Sequence, residues 1–345
     1  MDLYCLGSVG WLESQLIYHA LPRLGMEGLI ILSPGSPYVC IGCHQDAEQE
    51  IDLAYCQSQG IPVFRREVGG GAVYLDSGQI FYQLVLDRRH PLAQGTKEAF
   101  YRRLLAPVVA VCHDLGLEAS YKPVNDVLVA GRKISGNGAG EIAGSLVLVG
   151  NLLVDFDYDT MVKVLRVPDE KFRDHVHKSL RANLTTLRRE LPVVPGMAEL
   201  GKLLVRRFGE LLGPLTPLPL PARVDQEVVR LAAELNSESW LLRRGKRTPG
   251  RQVRIATGRE VIRRTHKAPG GLIRATVEVA DGRFVSVEIS GDFFFYPPEQ
   301  LDTLASHLVG TPCRAAEATI AEFYARTGAE SPGVSPADLA RVLSA

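Results

Sequence analysis

Apolar positions along this chain recur with two periods, and the switches between the periods outline its elements. From Gly10 to Leu24 the residues Trp11, Leu12, Leu16, Ile17 and Ala20 follow helical spacing. "GLIILS" and "YVCIG" are short apolar runs, the pattern of buried strands. "EQEIDLAYCQSQGI" predicts a helix ended by Gly60. "PVFRREV" and "AVYLD" predict strands on either side of three glycines, and "GQIFYQLVLD" alternates as a half-buried strand does. "KEAFYRRLLAPVVAVCHDLGL" predicts a long amphipathic helix. "DVLVAGRKISGNG" predicts a hairpin turning at Ala130-Gly131, and "GSLVLVGNLLVDFD" a further strand. "YDTMVKVLRV" and "DEKFRDHV" predict short helices, and "MAELGKLLVRRFGELLG" a longer one.

The pattern then breaks at "GPLTPLPLPARVD", where Pro214, Pro217, Pro219 and Pro221 predict a stiff, extended linker. Beyond it, Asp225 to Leu235 predicts a helix. "GLIRATVEVADGRFVSVEISGDFFF" predicts a hairpin with Asp281-Gly282 at its turn. "PEQLDTLASHLVG" and "PCRAAEATIAEFYARTG" predict helices. The expected organisation is therefore a first domain over 1–212, a linker over 213–225 and a small α+β domain over 226–345.

Composition narrows the class. The 345 residues carry 46% apolar and 23% charged side chains, enough to bury a real core. Lys+Arg and Asp+Glu balance at 39 each, so bulk charge gives no reason to expect a nucleic-acid partner. No apolar run reaches the ~18 residues of a membrane helix. "MDLYCLGSVGWLESQ" lacks a basic region followed by a long apolar stretch, so a cytoplasmic protein with no membrane partner is expected. The six cysteines are scattered. Cys40 and Cys43 form a CxxC, but zinc needs two more ligands at comparable spacing and no second pair exists. Two reduced cysteines at a strand end are the plain reading, with a redox role left open.

The candidate chemistry begins at "FRREVGGGAVYLDSGQIFYQ". Arg65 and Arg66 offer cations to an anion, while Gly69, Gly70 and Gly71 free the backbone to take positive φ and approach a ligand closely. The same stretch also reads as a flexible turn with solvated charges. Asn125 and Asp126 open the hairpin, and Lys133, Ser135 and Gly136 lie on its return strand. Ser179, Arg181 and Thr185 lie in "HKSLRANLTTL". Lys133 stands out because it sits in a strand between apolar positions and beside glycine; edge protection would also place it there.

These residues carry a resemblance. "RREVGGGAVYLDSGQ" resembles the RRxxGGGAVxHDxGN loop of lipoate–protein ligases, and "NDVLVAGRKISGN" their ND(I/L)xVxGRKxSGxA signature. "PYVCIGCHQDAEQEID" is similar to their PxVxIGxxQxxxxE stretch, and "VPDEKFRDHVHKSLRANLTTL" to VxxxKxxxKGIxSVRxRVxNL. The matches follow the family's order and spacing over residues 1 to about 210. "VADGRFVSVEISGDFF" resembles part of the small accessory domain of the bacterial enzymes.

The resemblance implies an α+β fold: a mixed β-sheet flanked by helices, as in biotin and lipoate ligases, plus a small α+β accessory domain. It implies that lipoate and ATP form lipoyl-adenylate, and that the acyl group then passes to a lysine of an acceptor lipoyl domain. Candidate acceptors are a dehydrogenase E2 lipoyl domain, the glycine-cleavage H protein and a lipoate-binding protein of sulfur oxidation. By the same resemblance Lys133 is the catalytic cation and Asp126 the ligand of Mg2+ on the phosphates. Arg66, Gly69, Gly70, Gly71, Ala72, Val73, Asn125, Ser135, Gly136, Val149, Gly150, Ser179 and Arg181 take positions that bind substrate or adenylate.

The departures concern the acyl pocket. Leu75 stands where the family has histidine, Gln79 where it has asparagine, and Leu148 and Val149 where it has paired histidines before Gly150. Counting back from Ile41-Gly42, a pocket tryptophan of the family falls on Ser33. Ser33, Leu75 and Leu148 are thus expected to line a rebuilt pocket for lipoate, octanoate or another medium-chain acid. The alternative activity is octanoyl transfer from acyl carrier protein. It requires an activated thiol near the lysine, and no cysteine lies between Cys112 and Cys313. Biotin ligases are disfavoured, since "RREVGGGAVYLD" does not resemble their GRGRxGR loop. A catalytically inactive binding protein is disfavoured by the retained Lys133 and Asp126.

Overall fold

The computed structural model describes residues 1–167, 169–244, 253–256 and 259–343. They form two compact units, each built from discontinuous stretches of chain. The first comprises Met1–Cys40, Glu48–Arg66 and Val73–Leu241; the second comprises Ile41–Ala47, Glu67–Ala72 and Leu242–Ala345.

The first unit contains the strands β1 (Asp2–Val9), β2 (Gly28–Pro34), β3 (Tyr38–Ile41), β4 (Val63–Arg65), β5 (Val73–Leu75), β6 (Gln79–Asp87), β7 (Ala119–Lys122), β8 (Asp126–Val129), β9 (Arg132–Ile142), β10 (Ser145–Leu153) and β11 (Thr216–Pro217). Eight of them make a mixed sheet in the order β11-β1-β2-β6-β10-β9-β8-β7; β4-β3-β5 make a small second sheet. β1 runs parallel to β2 and β11, and the remaining pairs of the large sheet are antiparallel.

Its helices are α1 (Trp11–Arg23), α2 (Ala47–Glu50), α3 (Leu53–Ser58), α4 (Lys97–Asp114), α5 (Tyr158–Val164), α6 (Glu170–Asn183), α7 (Leu187–Glu190), α8 (Met197–Leu212), α9 (Ala222–Leu235) and α10 (Glu238–Leu241). α1 covers one face of the large sheet, where the Gln83 side chain bonds the Ser14 carbonyl. α8 covers the other, where Phe208 packs on Tyr82 at 5.5 Å between ring centroids. The β8–β9 hairpin turns at Ala130 and Gly131, both at positive φ (48° and 75°), the backbone of a tight two-residue turn.

Several elements differ from the sequence pattern. The helix expected to run up to Gly60 is two short ones, because Ile51 leaves the helix to bridge Leu165 and Asp52 caps α3 by accepting from the Tyr55 amide at 2.9 Å. The strand expected through Val68 ends at Arg65. The short helix expected over "DEKFRDHV" continues to Asn183 and carries Ser179 and Arg181, since Leu184, not an earlier residue, turns extended to bridge Lys133. The proline-rich stretch is docked: Thr216 and Pro217 pair with Asp2 and Leu3 at the sheet edge. α9 then packs on α1, so the first unit extends through Leu241.

In the second unit, β12 (Val253–Ala256), β13 (Arg259–Ala268), β14 (Gly271–Ala280) and β15 (Arg283–Gly291) form an antiparallel sheet. The β14–β15 turn falls at Asp281 and Gly282, again both at positive φ. Helices α11 (Gln300–Leu308), α12 (Ala316–Thr327) and α13 (Pro336–Leu343) complete a core of Ile273, Val277, Phe284, Leu304, Ile320 and Leu339, all at most 1% exposed. The domain expected over 226–345 includes stretches outside the described residues.

Candidate functional site

Lys133 lies at the start of β9, where the ladder to β8 is irregular. Val127 faces Ser135 and Leu128 faces Lys133, so Ile134 is an extra residue on β9 and makes a bulge. Positions 133 and 136 would lie on opposite faces of a regular strand; the bulge brings both to one face. A Cβ at Gly136 would sit 2.9 Å from Cε and 3.2 Å from Nζ of Lys133, so the glycine leaves room for the lysine to lie over the strand. Nζ is 2.7 Å from Oδ1 of Asp126, with 31% and 24% of the two side chains exposed. The Lys133 carbonyl accepts from the Thr185 amide at 2.8 Å, which ties the strand to the exit of α6.

Asn151 of β10 shares this face. Its Oδ1 accepts from the Gly136 amide at 3.1 Å, and its Nδ2 donates to Gln79 Oε1 at 2.6 Å. Gln79 in turn donates to the Tyr74 carbonyl at 3.1 Å. Val149 is two residues from Asn151 and pairs with Gln83 of β6, so both lie on the Lys133 face. One sheet face therefore presents the Asp126 carboxylate on β8, the Lys133 cation on β9 and, on β10, Asn151 with its Gln79 partner and the half-buried Val149.

The opposite face is structural. Tyr82 Oη is 2.7 Å from Ser135 Oγ and donates to Asn137 Oδ1 at 2.5 Å. Asn137 Nδ2 donates to the Asn125 carbonyl at 2.9 Å, and Asn125 Nδ2 donates back to the Asn137 carbonyl. Burial raises the Tyr82 phenol well above its ordinary pKa. Gly150 sits between these groups: a Cβ there would lie 2.1 Å from Asn137 Oδ1 and 2.4 Å from Tyr82 Cε2. Ser135, Gly150 and Leu148 all belong to this α8 side, and Ser135 and Leu148 are fully buried. The structure thus separates them from Lys133, Gly136 and Val149.

The remaining candidates are dispersed. Leu32 pairs with Phe81 and shares its face with Gln83, whereas Ser33 turns to the α8 side. Leu148 pairs with Leu84, so Ser33 and Leu148 are about 13 Å apart along the strands. Leu75 faces Tyr38 in the small sheet, and the Tyr38 hydroxyl is 2.9 Å from Ser14 Oγ on α1. Val73 begins β5. Arg66 is buried and donates to the Cys40 carbonyl at 3.3 Å. Arg65 is fully buried and donates to the Trp240 and Leu241 carbonyls at 3.1 and 3.0 Å, while the Trp240 indole donates to the Arg65 carbonyl at 2.8 Å. Arg65 is therefore a clamp on the end of α10, not a ligand cation. Ser179 and Arg181 are exposed on α6, with the Arg181 guanidinium 5.3 Å from the Tyr158 ring centroid. The helix delivers Leu184, one turn later, to Lys133.

Gly69, Gly70, Gly71 and Ala72 belong to the second unit. The Gly70 amide faces the Phe293 carbonyl at 3.5 Å, and a Cβ at Gly69 would meet Phe294 Cδ1 at 2.9 Å. A Cβ at Gly42 would lie 2.0 Å from the Gly70 carbonyl oxygen, and the Cys43 amide donates to the Val68 carbonyl at 3.1 Å. The Gly291 amide donates to the His44 carbonyl at 3.0 Å, and the His44 ring stacks on Phe293. The glycines thus serve close main-chain approach, with Gly70 at φ 94°.

Five of the six thiols are held away from the thiolate. Burial pushes Cys5, Cys40 and Cys313 above the ordinary value, Cys56 to about 11 and Cys112 to about 12. At Cys40 the Arg66 guanidinium opposes the shift without reversing it. Among the described residues no three His, Cys, Asp or Glu side chains cluster as a metal site, and no helix is long and apolar enough to cross a membrane.

The pattern reading missed Tyr82, Gln83, Asn137 and Asn151. Their signal is a polar side chain within an apolar strand, as in "IFYQLVL" and "LVGNLLV". Such a group must be bonded or used.

Residues 13–209 match the family model of the lipoyl protein ligase A/B catalytic domain, and residues 261–343 that of the bacterial lipoate protein ligase C-terminus. The chain is 27% identical over 285 residues to the lipoate-protein ligase LplJ of Bacillus subtilis, covering 82% of this chain and 80% of that one. It is 26% identical over 232 residues to octanoyltransferase LipM of Kyrpidia tusciae, covering 60% and 84%. A solved bi-partite lipoate protein ligase of Thermoplasma acidophilum, described with its E2 lipoyl domain, superposes with a TM-score of 0.63 at 29% identity, covering 72% of this chain and 98% of that one.

Proposed function

Because the chain belongs to the lipoyl protein ligase A/B catalytic domain family, we propose that it is an ATP-dependent ligase that activates lipoate or octanoate as acyl-AMP and transfers the acyl group to a lysine of a lipoyl domain. The observation that carries this reading is Lys133 and Asp126 on one sheet face with Gly136, Asn151 and Val149.

In the first step the acid's carboxylate attacks the α-phosphorus of ATP and pyrophosphate leaves. Lys133 Nζ supplies positive charge to the phosphate as its oxygens gain charge. In the second step the neutral amine of the acceptor lysine attacks the acyl carbonyl, a proton is lost from that nitrogen and AMP leaves. Lys133 then faces the carbonyl oxygen where negative charge develops. Asn151, fixed by Gly136 and Gln79, holds the strand edge beside the reacting centre. Mg2+ on nucleotide phosphates takes only one or two protein carboxylates, and the single Asp126 carboxylate beside Lys133 fits that requirement. Bound there, the ion would supply further charge neutralisation on the phosphates.

Octanoyl transfer through a cysteine thioester is the second reading, favoured by the octanoyltransferase relative. The five thiols held above their ordinary pKa count against it, since the thiolate is the nucleophile. The test is ATP–pyrophosphate exchange with lipoate and octanoate, followed by mass spectrometry of an acceptor domain. Exchange that depends on acid supports the ligase. Acyl transfer from acyl carrier protein without ATP would overturn it.

A further inference from the structure

Gln83 is 2% exposed and sits on β6 directly opposite Val149, on the face that carries Lys133. Its Nε2 donates to the Ser14 carbonyl of α1 at 2.6 Å. A carbonyl only accepts, so this bond fixes which end of the amide is nitrogen. The other end, Oε1, is buried and has no hydrogen-bond partner among the described residues. A buried amide oxygen left without a donor is unfavourable, and native structures rarely keep one without a use.

Its position suggests the use. Lys133 lies over Gly136 on β9, and Gln83 is on β6 with β10 between them. Two strand spacings are about 10 Å, and Gly136 lies level with Asn151, two residues or about 7 Å along from Val149, so the span is about 12 Å; an eight-carbon acid bridges it when a hydrogen bond at each end is added. The half-buried Val149 lies between the two ends, with Ile30 of β2 flanking Gln83 on its other side. Resting on the ligase reading above, we propose that Gln83 Oε1 is the specificity-determining acceptor at the far end of the acyl path. It selects medium-chain acids that carry a hydrogen-bond donor, such as a hydroxyl or thiol, near the distal end over plain alkyl acids.

The experiment measures kcat/KM in acid-dependent pyrophosphate exchange for octanoate, 8-hydroxyoctanoate, lipoate and dihydrolipoate. The wild type is expected to prefer 8-hydroxyoctanoate over octanoate roughly ten- to hundredfold, and dihydrolipoate over lipoate by less, because a thiol is a weaker donor. Gln83→Met, similar in volume and apolar, should remove or reverse the preference by improving octanoate; a thermal melt confirms that it folds. If Gln83→Met fails to fold, the wild-type ratios alone decide. Equal rates for octanoate and 8-hydroxyoctanoate in the wild type would overturn the inference while leaving the ligase reading intact. A preference unchanged in folded Gln83→Met would overturn it too. No exchange with any of the four acids would overturn the ligase reading and this inference with it.

Discussion

Lys133 Nζ and Asp126 Oδ1 lie 2.7 Å apart across the β8–β9 pair, each side chain only partly covered. The lysine is thus held in place by its neighbour yet open to an anion. Lys133→Ala is expected to lower kcat/KM for pyrophosphate exchange by ~10²- to 10³-fold with little change in melting temperature. Asp126→Asn should raise the Mg2+ concentration needed for half-maximal exchange. Near wild-type exchange in a folded Lys133→Ala protein would remove Lys133 from the chemistry.

The Tyr82 hydroxyl joins Ser135 to Asn137 on the other face. Tyr82→Phe should destabilise the protein by ~1–3 kcal/mol, because it strands two buried polar groups. Gly150→Ala should be at least as harmful, since the new methyl overlaps both Asn137 and Tyr82. Urea unfolding measures both; a neutral Gly150→Ala would mean that the network is not as packed as described.

A tryptophan scan separates the two sheet faces. Leu32→Trp enlarges the face of Phe81 and Gln83 and should reduce kcat/KM for the longest acids most, by ~10- to 200-fold per excluded methylene. Ser33→Trp projects to the α8 side and should lower stability with an unchanged chain-length profile. The reverse outcome, from kcat/KM for C6 to C12 acids, would place the acyl chain on the other face.

A chain ending after Leu241 deprives the 41–47 and 67–72 stretches of their partners, while it keeps β11 and α9 to cover β1 and α1; it should fold with a lowered urea midpoint. A chain ending after Leu212 removes both, together with the carbonyls that hold the buried Arg65, and should unfold at markedly lower urea. Equal midpoints for the two truncations would show that the proline-rich stretch is a mere tether.

Asp114 at the end of α4 is held at about 2 by hydrogen bonds from Arg207 first and then Arg206 of α8. Its folded value lies below the unfolded one, so the contribution is complete above about pH 4 and fades as pH falls toward 2. Asp114→Asn should lower the melting temperature slightly at pH 7 and by progressively less below pH 4, because an exposed pair is worth at most about 1 kcal/mol. A constant difference from pH 7 to pH 2 would contradict the ion-pair account.

Much of this was legible in the chain. The strand periods, the two positive-φ turns and the loop motifs follow from local chemistry, which a sequence records directly. The side of the sheet that a residue faces does not. Lys133 and Gly136 share a face only through the Ile134 bulge, and nothing in "GRKISGNG" marks one extra residue in the ladder. Ser33 and its neighbour Leu32 face opposite sides for the same reason, since a one-residue shift exchanges the faces. Arg65 and Arg66 look equivalent as neighbours, yet only tertiary contact with Trp240 and Leu241, some 175 residues on, separates a clamp from a candidate ligand.

The glycine stretch at 69–71 leans on Phe293 and Phe294, which reach it from the far end of the chain. The ribosome makes that support roughly 220 residues after the glycines themselves, on the order of 10–45 s later at ordinary elongation rates. Through that interval a nascent chain holds the glycine triplet without the phenylalanines it leans on. The enzyme therefore acquires the seated form of its glycine loop late in synthesis, and a stalled or prematurely released chain carries the signature without the shape.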